Sequence, residues 1–109
     1  MQTECGVTEI SLANAKELFD SYGHPVKVTC VYDPDEWWQV HVEWDSYDYE
    51  HKHVFSGFAW GYSGEGVRGL QRFLEVMCGI LDIPYRSLVT MDRYDPTELN
   101  QAVSEMLGA

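Results

Sequence analysis

Hydrophobic and polar positions alternate through residues 25–32. Val26, Val28, Cys30 and Tyr32 share one parity, and Lys27, Thr29 and Val31 share the other. A period of two is strand patterning. Asp33-Pro34-Asp35-Glu36 follows as a turn, with Asp first and Pro pre-set at the second position. The alternation then resumes. Trp38, Val40, Val42 and Trp44 fall on one face, and Trp37, Gln39, His41 and Glu43 on the other. The two runs predict a hairpin with one buried and one wet face. After an acidic connection at 45–50, a third strand is expected over 53–60. Gly57 and Ala59 within it suggest close approach of a helix, or a bulge.

Elsewhere the period lengthens to three and four. Leu12, Ala13, Ala15, Leu18, Phe19 and Tyr22 predict a helix over 12–22, capped by Ser11 and stopped by Gly23. Val67, Leu70, Leu74, Met77 and Leu81, widened by Phe73, Val76 and Ile80, predict an apolar helix over 67–81 that Pro84 ends. Residues 85–91 fit either a short edge strand or irregular chain. The last helix has the clearest start: Asp95 caps, Pro96 takes the first position, and Glu98 completes a capping-box-like pair. Leu99, Ala102, Val103, Met106 and Leu107 form its stripe. The expected fold is a single α+β domain over residues 1–109, in the order α-β-β-β-α-(β)-α, with helices covering a small antiparallel sheet.

Charge adds what patterning does not show. Eighteen Asp and Glu face seven Lys and Arg across 109 residues, a net charge of −11. Apolar residues make up 45% of the chain, so the charge sits on a folding sequence rather than a disordered one. From Lys27 to Lys52 no Lys or Arg intervenes. That window holds Asp33, Asp35, Glu36, Glu43, Asp45, Asp48 and Glu50, interleaved with Trp37, Tyr47, Tyr49 and other aromatics. One-signed surface of this kind repels nucleic acid and attracts basic protein grooves. Glu43 and Asp45, two residues apart on a strand, would lie about 6.6 Å apart, a spacing comparable to that of backbone phosphates. Trp37, Tyr47 and Tyr49 are expected to face outward, where aromatic side chains serve as interface anchors. The bland alternative is a solvated face that keeps the protein soluble.

Other chemistry is thinly represented. Cys5, Cys30 and Cys78 are odd in number and include no C-x-x-C pair, so neither a disulfide framework nor a zinc site is expected; Cys30 and Cys78 read as buried thiols. His41, His51 and His53, with Cys30, lack a further ligand at metal-site spacing. A Cys30–His41 pairing across the hairpin matches no nucleophile signature. No cofactor is expected. The start of the chain lacks a basic region followed by an apolar run, and no stretch approaches the roughly 20 apolar residues of a membrane span. These features give the expectation of a cytoplasmic protein that binds neither membrane nor nucleic acid directly. The turn Ser63-Gly64-Glu65-Gly66 joins a strand to a helix, a geometry that can cradle phosphate, with Arg68 and Arg72 as nearby cations. It is neither G-x-G-x-x-G nor a Walker loop, and Glu65 opposes an anion.

The 13-residue stretch Phe58-Ala59-Trp60-Gly61-Tyr62-Ser63-Gly64-Glu65-Gly66-Val67-Arg68-Gly69-Leu70 resembles a Trp-Gly-Tyr-Gly-Gly-x-Gly-Pro-x-x-Leu signature of small uncharacterised prokaryotic and phage domains. Ser63 replaces a Gly and Val67 replaces the Pro. The resemblance implies a strand–turn–helix and a microbial or phage setting, and it transfers no activity. In type, a small acidic chain with no catalytic motif resembles the phage-borne inhibitors of host defence, including anti-CRISPR proteins, several of which mimic DNA. That resemblance implies a non-enzymatic inhibitor of a host nucleic-acid-binding protein or CRISPR effector complex, acting in the host cytoplasm as a monomer or small homo-oligomer. The partner-binding residues would be Asp33, Asp35, Glu36, Trp37, Glu43, Asp45, Tyr47, Asp48, Tyr49 and Glu50. Two other classes remain open. One is a nucleotide- or ligand-binding module, or a minimal enzyme, at Gly64–Gly66. The other is an oligomeric domain that pairs through a strand edge.

Overall fold

A computed structural model describes residues 7–45 and 50–108. The alternating segments form an antiparallel meander of β1 (Lys27–Asp33), β2 (Trp37–Asp45) and β3 (Glu50–Phe55), in that spatial order. Register follows parity. Val28 lies opposite Val42, Cys30 opposite Val40, and Val40 in turn opposite Phe55. These side chains and Trp44 are buried on one face. The other face carries Lys27, Thr29, Val31, Gln39, His41, Glu43 and Lys52, each partly or fully exposed.

Helix α1 (Thr8–Tyr22) begins four residues earlier than the expected 12–22. Ser11 is not its cap. It lies buried within the helix, and its Oγ accepts the Gly57 N–H at 2.9 Å. Thr8 Oγ1 donates to the Gly57 carbonyl at 2.7 Å. Both polar groups of Gly57 are thus engaged by the first turn of α1. This explains why β3 stops at Phe55 instead of running over 53–60: past that point the backbone bonds to a helix, not to a strand. The small-residue signal was a close approach, since a Cβ on Gly57 would lie 2.5 Å from the Val7 carbonyl oxygen. Alternation is lost as well, and Phe58, Ala59 and Trp60 are all buried.

Helix α2 (Glu65–Arg72) continues into a π-helical turn over Phe73–Met77 and does not reach residue 81. The wider turn, closed by Cys78 N–H on the Phe73 carbonyl at 3.3 Å, changes which residues face inward. Phe73, Leu74 and Met77 are buried, whereas Val76 and Leu81, expected in the stripe, are exposed. Phe73 closes a ring trio with Phe55 and Phe58, centroids 5.3 Å apart. His24 Nδ1–H donates to the Met77 carbonyl at 2.7 Å and satisfies the end of the π turn.

The ambiguous segment forms a short helix, α3 (Tyr85–Thr90), so the described sheet has three strands. Leu88, fully buried, fixes it to the core. Helix α4 (Thr97–Gly108) begins one residue past the expected Pro96, whose carbonyl accepts the Asn100 N–H at 2.9 Å. Asp95 Oδ1 accepts the Thr97 N–H at 3.3 Å and the Thr97 hydroxyl at 2.6 Å, as its capping role implies. The order is α-β-β-β-α-α-α, an α+β fold.

Helix α4 also protects the edge of β1. Asn100 Oδ1 accepts the Cys30 N–H at 2.5 Å, and Asn100 Nδ2 donates to the Cys30 carbonyl at 2.8 Å. One side-chain amide thus replaces the peptide of a missing fourth strand. Asn100→Ala should cost about 2–3 kcal/mol, because two backbone groups lose their partners at a part-buried edge. Urea unfolding would measure it; a loss below about 0.5 kcal/mol would show that water replaces the amide freely.

Cys30 and Cys78 are buried, as their apolar faces implied. Burial pushes each thiol up to about 12, with proximity to Cys30 adding to the effect on Cys78. Thiolate is the reactive form, so both should resist iodoacetamide in native protein at mildly alkaline pH and label fully in denaturant. Peptide mass mapping would read the outcome, and native labelling of either thiol would contradict the packing.

Candidate partner-binding site

The acidic turn is held by its own first residue. Asp33 Oδ1 accepts the N–H of Asp35 at 2.7 Å and of Glu36 at 3.2 Å. Its carboxylate therefore shapes the backbone, while Asp35 and Glu36 point to solvent. Trp37 then enters β2 opposite Asp33 with a positive φ of 64°, a left-handed conformation that bulky residues rarely adopt. Its side chain is 62% exposed. The outward placement expected for Trp37 is what the parity of β2 gives.

Trp38 points the other way. Its indole Nε1–H donates to the Trp60 carbonyl at 2.9 Å, and its ring packs against Tyr62 at 5.2 Å and Tyr32 at 5.5 Å. Tyr32 in turn meets Tyr94 edge-on at 5.1 Å. The loop between α3 and α4 is thereby brought beside the hairpin turn. Arg93 fixes that loop from within. Its guanidinium lies 5.8 Å from Trp38, 5.9 Å from Tyr62 and 5.8 Å from Tyr94, and Nη2 donates to the Gly61 carbonyl at 3.3 Å. Its own carbonyl accepts the Trp60 indole N–H at 3.2 Å. Trp37, 62% exposed, thus follows the exposed Asp35 and Glu36 of the turn, and the loop held beside Tyr32 and Trp38 exposes Tyr94, at 68%, with Asp92 and Asp95.

The remaining acids of the window do not continue this patch. Glu43 sits between Lys27 and Lys52, with N···O distances of 3.9 and 3.6 Å. Cross-strand register puts all three on one row, so Glu43 is flanked by positive charge. Asp45 is exposed at the far end of β2, eight residue steps from Trp37, or roughly 26 Å at strand rise. Glu50 opens β3 opposite Asp45. Tyr47, Asp48 and Tyr49 lie outside the described residues. The expected row of acids along the hairpin is thus divided, with a neutralised centre and an acid–aromatic end at the turn.

Arg93, Tyr94, Tyr32 and Asp92 were not expected at the site. Their only sequence signal is an aromatic ahead of the Asp95 cap, since Arg93 lies 32 residues from the Gly61 carbonyl it holds.

The alternative sites are placed just as definitely. His41 lies on the solvated face of β2, whereas His51 and His53 lie on the core face of β3. Cys30 and His41 also take opposite faces, which rules out the pairing considered across the hairpin. His51 stacks on Tyr22 at 4.7 Å. Among the described residues no group of three or more His, Cys, Asp or Glu could hold a metal ion. At the Gly-rich turn, the Gly64 N–H that would meet a phosphate donates instead to the Tyr85 hydroxyl at 3.2 Å. Ser63 Oγ lies 3.0 Å from that hydroxyl, and Arg68 lies over the Tyr85 ring at 5.4 Å. The Ser63 hydrogen bond first, then the Gly64 N–H and Arg68, hold Tyr85 below the ordinary tyrosine range. The chain's own phenol thus fills the position of an anion, and Glu65 is exposed beside it. Among the described residues no helix is long and apolar enough to cross a membrane.

Comparison with protein-family models, curated proteins and solved structures finds no match to this chain, so its own residues carry the functional conclusion.

Proposed function

We propose that this chain is a non-enzymatic inhibitor that binds a nucleic-acid-binding protein or complex, in the manner of the phage-borne anti-CRISPR class. The supporting observation is the acid–aromatic end of the sheet. A self-bonded turn holds Asp35 and Glu36 outward beside an exposed Trp37, and Tyr94 stands on the adjoining loop. Ion pairs between described residues engage only two carboxylates, Asp20 and Glu43. The turn acids are not among them, which leaves them to a basic partner. Aromatic area supplies contact energy and charge supplies steering, the division found in charge-driven interfaces. A groove that normally holds phosphates is the complementary surface.

Immobilised protein should capture the partner from host extract at low salt and release it as salt rises. The double variant Asp35→Lys, Glu36→Lys should weaken capture about tenfold or more, with thermal melting unchanged, since both side chains are exposed. Asp45→Lys should have a smaller effect. Equal capture by the double variant and the native protein would overturn the proposal.

A further inference from the structure

We infer that the groove beside the hairpin turn is a receptor for an arginine side chain of the protein partner. This rests on the proposed function and adds the chemistry of recognition. The groove has a volume of about 770 Å³, and its lining includes Glu36, Trp37, Trp38, Tyr62 and Glu65, with Gln39 and with apolar and small residues of 54–59. That volume lies in the range of small-ligand pockets. Its lining carries two carboxylates and no Lys or Arg. The neighbouring groove of about 710 Å³, in contrast, contains Arg68 and Arg72 as well as Glu9 and Glu65, and so selects neither sign.

Three features favour a guanidinium over other cations. Indole and phenol rings attract a cation to their faces, and a planar guanidinium also stacks on them. Carboxylates accept its N–H groups in pairs. Within the chain, Trp38 and Tyr62 already attract the Arg93 guanidinium, which shows that the ring pair suits this group. Arg93 is not among the lining residues, and Glu36 and Glu65 outnumber it. Gln39 Nε2 donates to Glu36 Oε2, and both residues line the groove. A nucleic-acid-binding groove is rich in arginines that contact phosphate, so one of them fits the occupant.

The test is a titration of the native protein with arginine amide, followed through the tryptophan indole N–H resonances. Citrulline amide, whose side chain is the uncharged near-isostere, and lysine amide are run in parallel. Arginine amide should shift the Trp37 indole in a saturable manner and leave Trp44 unmoved. Lysine amide should bind more weakly, and citrulline amide should give no shift. Glu36→Gln with Glu65→Gln should weaken arginine binding about tenfold. An equal response to citrulline amide or to lysine amide would overturn the inference, as would a response unaltered by the double variant. If partner capture is lost on reversing Asp35 and Glu36 but arginine amide gives no shift, the groove assignment falls and the proposed function stands. If that reversal leaves capture unchanged, the proposed function falls, and with it a partner's arginine as the occupant of a groove that Glu36 lines, whatever the amide titration shows.

Discussion

Trp37→Gly is expected to abolish partner capture while leaving the fold as stable as the native protein, or more stable by up to about 1 kcal/mol. The two effects separate because Trp37 is energetically awkward where it stands. A left-handed φ costs a side-chain-bearing residue about 1–2 kcal/mol, and glycine avoids most of that. The added freedom of glycine in the unfolded chain offsets part of the gain. With 62% of the side chain exposed, little packing is lost. Binding, in contrast, loses its largest exposed anchor, and loss of such an anchor typically costs about 2 kcal/mol or more. Urea melts and capture assays on the same preparation would read both. Unchanged capture, or a stability loss above about 1 kcal/mol, would mean that Trp37 serves the fold rather than a partner.

Gly61→Ala should cost about 3 kcal/mol of stability and remove partner capture with it. Gly61 has a φ of 84°, and a Cβ there would lie 2.6 Å from the Arg93 Cβ and 2.9 Å from its backbone N and Cα. The residue cannot move aside. Its N–H donates to the Leu88 carbonyl at 2.9 Å, and its carbonyl accepts from Arg93. The left-handed cost of about 1–2 kcal/mol therefore adds to an overpacking cost of similar size. Relief would come only by pushing the Arg93–Tyr94 loop away from Tyr32 and Trp38, which dismantles the proposed site. Denaturant unfolding should show a lower midpoint at constant slope. A loss below about 1 kcal/mol would contradict the close contact.

What the sequence revealed, and what it hid, follow from the range of the interactions. The alternation in 27–45 and the Asp95-Pro96 start are local, and both agree with the structure. The short helix α3 was not legible. Ser87, Val89 and Thr90 have no helical preference, and burial of Leu88 decides the conformation. The π turn was hidden because the stripe from Val67 to Leu81 fits an unbroken helix. Close packing of Phe73 on Phe55 and Phe58 selects the wider turn. The acid count was plain, but its division was not. Only cross-strand register shows that Lys27 and Lys52 flank Glu43. Only the contacts of Tyr32 and Trp38 show that Tyr94 and Arg93 lie beside the strand ends that the turn joins.

The proposed inhibitor would seat its acid–aromatic end on a surface meant for nucleic acid. The direct measurement is competition: labelled nucleic acid is bound to the captured partner, and this protein is added in increasing amount while anisotropy is followed. Displacement that saturates at a fixed stoichiometry, weakens with salt, and is lost with Trp37→Gly is the predicted result. A stable ternary complex, with the nucleic acid still bound when this protein is saturating, would rule that placement out.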